Sequence, residues 1–203
     1  MDSEKLYGYK LLKDAYYGTG LFSVGRGLVR HPRESTPNYA FRKKLAYYLN
    51  YTGPIVNASV DPIFRDAIKR EYKDTEKFKV FLEDVDRKGT SLQEYIRQQA
   101  TLAKLYGVMY IIVNNVVEFG ESVADNIKNR ALPYLTAVEP HHITDWQFDE
   151  KGILIKFAYK DVIYDADRKK QTRYYIWTPT NWQVLGENGN QIKSGTHNIG
   201  RIP

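Results

Sequence analysis

The sequence predicts an α+β fold, with an N-terminal helical region followed by a mostly antiparallel β-meander. Two observations predict it. Up to Gly107, apolar residues recur at helical spacing between capping signals. Beyond Gly107 they form short β-rich runs separated by turns such as Glu150-Lys151-Gly152 and Glu187-Asn188-Gly189. Helices first and strands later set this apart from an alternating α/β chain. The 203 residues suit one domain, or one domain with an extended arm. An N-terminal arm or loop is expected over 1–34 and an α+β domain over 35–203, with helices over about 37–106 and strands over about 108–203.

Taken in order, Leu6, Tyr9, Leu11 and Leu12 predict a short helix that ends near Gly18. Gly18, Gly20, Gly25 and Gly27 then mark a flexible loop or irregular strand. Ser35-Thr36-Pro37 supplies a cap and a proline at the helix start, with Phe41, Leu45 and Tyr48 as the inward stripe. Gly53-Pro54 breaks that helix and opens the next, which carries Ile55, Val56 and Val60. Asp74-Thr75 caps a third, with Phe78, Phe81, Leu82 and Val85 facing inward. Thr90 and Gln93 make a capping box for a fourth, which bears Leu92, Tyr95, Ile96, Leu102 and Tyr106 and stops at Gly107. The unbroken apolar run from Val108 to Val113 predicts a buried strand. Asn114 to Asn129 reads as a loop and Ala131 to Val138 as a second strand. A turn at Pro140 to Ile143 leads into strands at Thr144 to Phe148, Ile153 to Tyr159 and Arg173 to Trp177.

The composition is that of a folded chain, 42% hydrophobic and 27% charged. Seventeen tyrosines, each with an apolar ring and a polar tip, suit either half-buried interfaces or a small core built from Tyr. The absence of cysteine excludes disulfides, thiolate chemistry and Cys-based zinc sites. The net charge of +6 can attract phosphates, but the basic residues are scattered and read as a solvated face. Met1 to Lys5 is polar, without the apolar core of a signal peptide, and the Val108 run is too short to span a membrane. A soluble protein not secreted by that route is expected.

No motif for catalysis stands out. Gly18-Thr19-Gly20 and Gly25-Arg26-Gly27 lack the Lys and hydroxyl residue that a nucleotide-cradling loop needs after its last glycine. Asp84-Val85-Asp86-Arg87-Lys88-Gly89 has the Asp and Gly spacing of a calcium loop, but Lys88 fills a ligand position and Tyr95 stands where the bidentate Glu belongs. It reads as a helix end and tight turn. His141 and His142 are adjacent and would point apart on a strand, while His31 and His197 have no partners at ligand spacing. Ser23, Ser35, Ser59, Ser91, Ser122 and Ser194 lie outside any nucleophile-elbow context. No catalytic, cofactor-binding or metal-ligating residue is assigned, nucleic-acid-binding residues are left unknown, and the chain is expected not to be an enzyme.

Two ordered signatures remain. One is Arg42-Lys43-Lys44-Leu45-Ala46-Tyr47-Tyr48-Leu49-Asn50 followed by Asp61-Pro62-Ile63-Phe64-Arg65. The other is Arg130-Ala131-Leu132-Pro133-Tyr134-Leu135, then Val138-Glu139-Pro140-His141-His142-Ile143-Thr144-Asp145-Trp146, and Gly152. Between them the Asp84–Gly89 turn leads through a helix to the strand after Gly107. This order, from Arg42 to Pro203, resembles the N-terminal half of tailed-bacteriophage portal proteins. The resemblance implies a wing-like domain at the outer rim of a ring, dodecameric in the family, with Trp146 as an anchor. Its implied partners are other portal subunits, the terminase motor, the capsid and head–tail adaptor proteins, with genome DNA passing through the full-length ring. It implies no cofactor, membrane or small-molecule substrate. Its place would be the virion, at a capsid vertex, after assembly in the host cytoplasm, and the gene could be carried by a prophage. Asn198-Ile199-Gly200-Arg201-Ile202-Pro203 resembles the segment that leads on to the rest of such a protein, so a fragment is expected. The rival expectation is a basic, Tyr-rich nucleic-acid-binding module.

Overall fold

The structure is a computed structural model that describes residues 3–72, 76–114, 122, 125, 132–165, 167–197 and 200–202. It has the α+β order expected. Among the described residues five α-helices, α1 Ser3–Tyr17, α2 Thr36–Leu45, α3 Thr52–Val60, α4 Glu76–Glu83 and α5 Leu92–Tyr106, precede seven strands. These are β1 Tyr110–Asn114, β2 Tyr134–Val138, β3 Ile143–Phe148, β4 Leu154–Tyr164, β5 Lys170–Trp177, β6 Asn181–Leu185 and β7 Gln191–Thr196. β1 and β2 form an antiparallel pair, and β3 to β7 form a five-stranded antiparallel meander in sequence order.

By contacts the chain divides into a helical unit, Asp2–Asp74 with Ser91–Met109, and a sheet unit, Thr75–Thr90 with Tyr110–Pro203. Residue 34 therefore lies inside the helical unit and is not a boundary. The expected N-terminal arm contains α1, which packs on α3 and α5 within that unit.

The helical unit has its core where α1, α3 and α5 meet. Val56, Leu105 and Tyr106 are buried there, with Tyr9, Tyr16, Leu102 and Met109 packed around them. Tyr9 meets Tyr106 edge-on, with ring centroids 5.9 Å apart. Gly107 ends α5 at φ 84°, a left-handed position that costs glycine nothing, and its N–H donates to the Ala103 carbonyl. The cap at the other end is Ser91, whose hydroxyl accepts from the Glu94 N–H, one residue beyond the expected Thr90. Thr90 is unavailable because its hydroxyl donates to Asp86.

The inward stripe expected on α2 fails. Ser35 does cap α2, but Phe41 and Leu45 are exposed and α2 buries no residue. The chain leaves the helix at Ala46, which is extended, so Tyr48 cannot continue the stripe. The Asp74-Thr75 cap falls outside the described residues. Val85 is fully buried, but it lies beyond α4, in the turn that follows.

In the sheet unit, Ile112, Val138, Ile143, Phe157, Tyr159 and Trp177 form the core. Cross-strand register puts Phe157 opposite Trp177 and Tyr159 opposite Tyr175, the spacing that lets large rings pack on one face of a pleat. Tyr159 and Tyr175 stack with centroids 4.9 Å apart and planes 7° apart. β1 is not the fully buried strand that its composition predicts. Only Ile112 is buried, because β1 has a single partner, and Tyr110, Ile111 and Val113 are exposed. The loop expected over Asn114–Asn129 lies almost wholly outside the described residues.

Candidate interaction surfaces

The residues weighed for chemistry mostly have structural work. The Asp86 carboxylate accepts from the N–H groups of Lys88 (2.9 Å) and Thr90 (3.3 Å) and from the Thr90 hydroxyl (2.8 Å). Asp84 accepts from the Gly89 N–H at 2.8 Å. Both carboxylates face their own turn, so the segment is the helix end and tight turn expected. Partial burial pushes the Asp86 carboxyl up, but the Thr90 hydroxyl and the two N–H donors outweigh it and hold the group below its ordinary value. Arg87 is left-handed at φ 63°, and its guanidinium lies 5.2 Å from the centre of the Tyr134 ring. A cleft of about 240 Å³ opens beside it, lined by Val80, Glu83, Asp84, Arg87, Leu132 and Pro133.

His141 and His142 lie on the single 3-10 turn Pro140–His142, not on an extended strand. The turn brings their rings together, 4.3 Å apart and edge-to-face, with His141 Nδ1 3.6 Å from a Glu139 oxygen. Among the described residues no group of three or more His, Cys, Asp or Glu is placed to hold a metal ion. His31 accepts from the Arg33 N–H, and His197 donates to the Thr178 carbonyl at 2.8 Å. The serine hydroxyls serve the local backbone or a near neighbour: Ser23 donates to Gly20, Ser59 to Ile55 and Ser122 to Asp125. Burial pushes the Tyr159 hydroxyl far above the ordinary tyrosine value, helped by Tyr175 and Asp161 beside it. Burial raises Tyr175 as well. Both rings serve packing in the sheet core.

Sequence reasoning missed a polar cleft of about 330 Å³ in the helical unit, lined in part by Tyr16, Asn57, Asp61, Arg97 and Gln99. Its walls come from α1, α3, the Asp61–Phe64 turn and α5, whose residues are far apart in sequence. Tyr16 donates to Asn57 Oδ1 at 2.8 Å, and Arg97 pairs with Asp61 at 2.9 Å. No periodicity could have paired them.

Trp146 is the residue expected as an anchor. It is 48% exposed, on the edge strand β3, and Phe148 beside it is 58% exposed. The hairpin that follows adds exposed Ile153 and Ile155. The tryptophan buried in the core is Trp177, on the interior strand β5. Asp145 stays close to the patch, where the Lys156 ammonium 2.7 Å away holds its carboxyl below the ordinary value. Exposed aromatic side chains on an edge strand are a surface through which a sheet can meet a partner.

No protein-family model matches the chain, and no curated protein matches it in sequence. No helix among the described residues is long and apolar enough to cross a membrane.

Proposed function

We propose that this chain is a wing-type portion of a tailed-bacteriophage portal protein, a non-enzymatic structural subunit of the ring through which the genome enters and leaves the capsid. In this reading its partners are neighbouring subunits, capsid, motor and head–tail adaptor, and its place is the virion. The observation that carries the reading is the order of elements. A helical region leads through the β1–β2 pair to the Pro140–His142 turn, which delivers Ile143 and Trp146 into a five-stranded meander. The exposed Trp146 and Phe148 on edge strand β3 support it, since a ring needs head-to-tail contacts between unlike surfaces. The test is electron microscopy of the complete gene product under capsid-like ionic conditions. Closed rings are expected. Monomers alone would overturn the reading. Within rings, Trp146→Ser with Phe148→Ser is expected to lower ring yield while leaving the subunit's melting midpoint unchanged.

A further inference from the structure

One residue of α5 breaks the pattern of its own helix. Leu92, Tyr95, Gln99, Leu102 and Tyr106 follow the alternating spacing of a core stripe, and Gln99 is the amide among them. It is only 8% exposed and lines the polar cleft between α1, α3 and α5. Its Oε1 is shut off from solvent and accepts no hydrogen bond among the described residues. A buried carbonyl in that state works against folding, and a Leu or Met at this position would complete the stripe. A local rule broken at a cleft, without a compensating bond, points to a ligand.

The charges around Gln99 say what kind. Asp61, Glu94 and Arg97 line the same cleft, each about half exposed. Arg97 lies 2.9 Å from Asp61 and 3.7 Å from Glu94. One guanidinium thus serves two carboxylates, and one negative charge is left over. The Gln98 amide donates to Glu94 at 3.1 Å, which leaves that balance unchanged. Tyr16 and Tyr17 add two rings, edge-to-face with centroids 4.8 Å apart. Ring faces attract cations, and Leu102 adds apolar surface.

We propose that this cleft binds a small aliphatic ammonium ion. Its ammonium group meets Gln99 Oε1 and the surplus carboxylate charge, and its hydrocarbon part lies on Leu102 and the tyrosine rings. The proposal is independent of the portal reading. An ammonium has three donors and no acceptor, which suits an orphan carbonyl beside excess carboxylate. The last torsion of an amide is soft, so a small rotation turns Oε1 toward the ligand. A volume of about 330 Å³ suits a molecule of few heavy atoms. An anion is disfavoured, because Arg97 is the cation among the described lining residues and both carboxylates hold it. A neutral alcohol would bond the amide but make no use of the charge.

The test is a nuclear magnetic resonance titration of the isotope-labelled whole chain with n-butylammonium, and with n-butanol for comparison. Saturable shifts centred on Gln99 are expected, with a Kd of about 1 mM that weakens as salt is added. The alcohol should bind about tenfold more weakly or worse. Gln99→Met keeps the length without the amide. It should weaken ammonium binding about tenfold and leave the melting midpoint equal or higher. Asp61→Asn, at an exposed site where the fold is not at stake, should weaken binding as well. Arg97→Gln should tighten it, because both carboxylates are released. If Gln99 served only the fold, Gln99→Met would lower the midpoint and leave the affinity untouched, and the proposal would be lost. No saturable shift below about 10 mM would overturn it, as would equal binding of the alcohol. Shifts spread over exposed carboxylates across the chain would overturn it too, as would weaker binding by Arg97→Gln at an unchanged midpoint.

Discussion

In the turn after α4, one carboxylate organises five residues. Asp86 takes three donors from Lys88 and Thr90, and the turn it holds lets Arg87 stay left-handed at φ 63°, where a non-glycine residue is strained. Its carboxyl is held below the ordinary value near 3.9 that it has in the unfolded chain. A group depressed on folding stabilises the protein above the unfolded value, and that contribution disappears as pH falls through the folded one. Asp86→Asn keeps the shape but loses the charge-assisted bonds. It should cost about 1 kcal/mol at pH 7, a modest figure because the turn is partly exposed. Urea midpoints at pH 7 and near pH 2 measure this. The gap between wild type and variant should close in acid, and a gap that persists there would refute the assignment.

The same turn sets the start of α5, and here the cap itself is the testable feature. Ser91 accepts from the Glu94 N–H, so Ser91→Ala should cost about 1 kcal/mol, read as a lower thermal midpoint. Thr90→Ser, which retains the hydroxyl bonded to Asp86, should cost far less. Helix ends of this kind were legible in the sequence to within a residue, because Ser, Pro and Gly act through their immediate backbone. Ser35 and Gly107 were read correctly, and β3, β4 and β5 of the meander were legible from alternation and turns. What the sequence could not show was which apolar stripe finds a partner. Phe41 and Leu45 have the spacing of a core face, yet the element that packs on α2 covers its other side. The exposure of Trp146 was not legible for a related reason. Burial on a strand depends on whether it lies inside the sheet or at its edge, and strand order is a long-range property.

At the scale of the molecule, the two units are interleaved in the chain. The sheet unit takes Thr75–Thr90 from between two parts of the helical unit, so a cut after Met109 does not separate them cleanly. The inserted piece bonds directly to the sheet residues: the Val85 carbonyl accepts from the Leu135 N–H at 2.6 Å, at the second residue of β2, and the Val85 side chain is fully buried. A fragment of residues 110–203 loses that bond and that side chain, whereas residues 75–203 retain both. All three tryptophans, Trp146, Trp177 and Trp182, lie in β3, β5 and β6, so tryptophan fluorescence reports on this unit alone. The unfolding midpoint of the 75–203 fragment by fluorescence should therefore match the sheet transition of the whole chain. The 110–203 fragment should be less stable by about 2 kcal/mol or more, from one unpaired backbone group and one lost core contact. Equal midpoints for the two fragments would mean that Val85 contributes nothing to the sheet, against both its burial and its bond to β2.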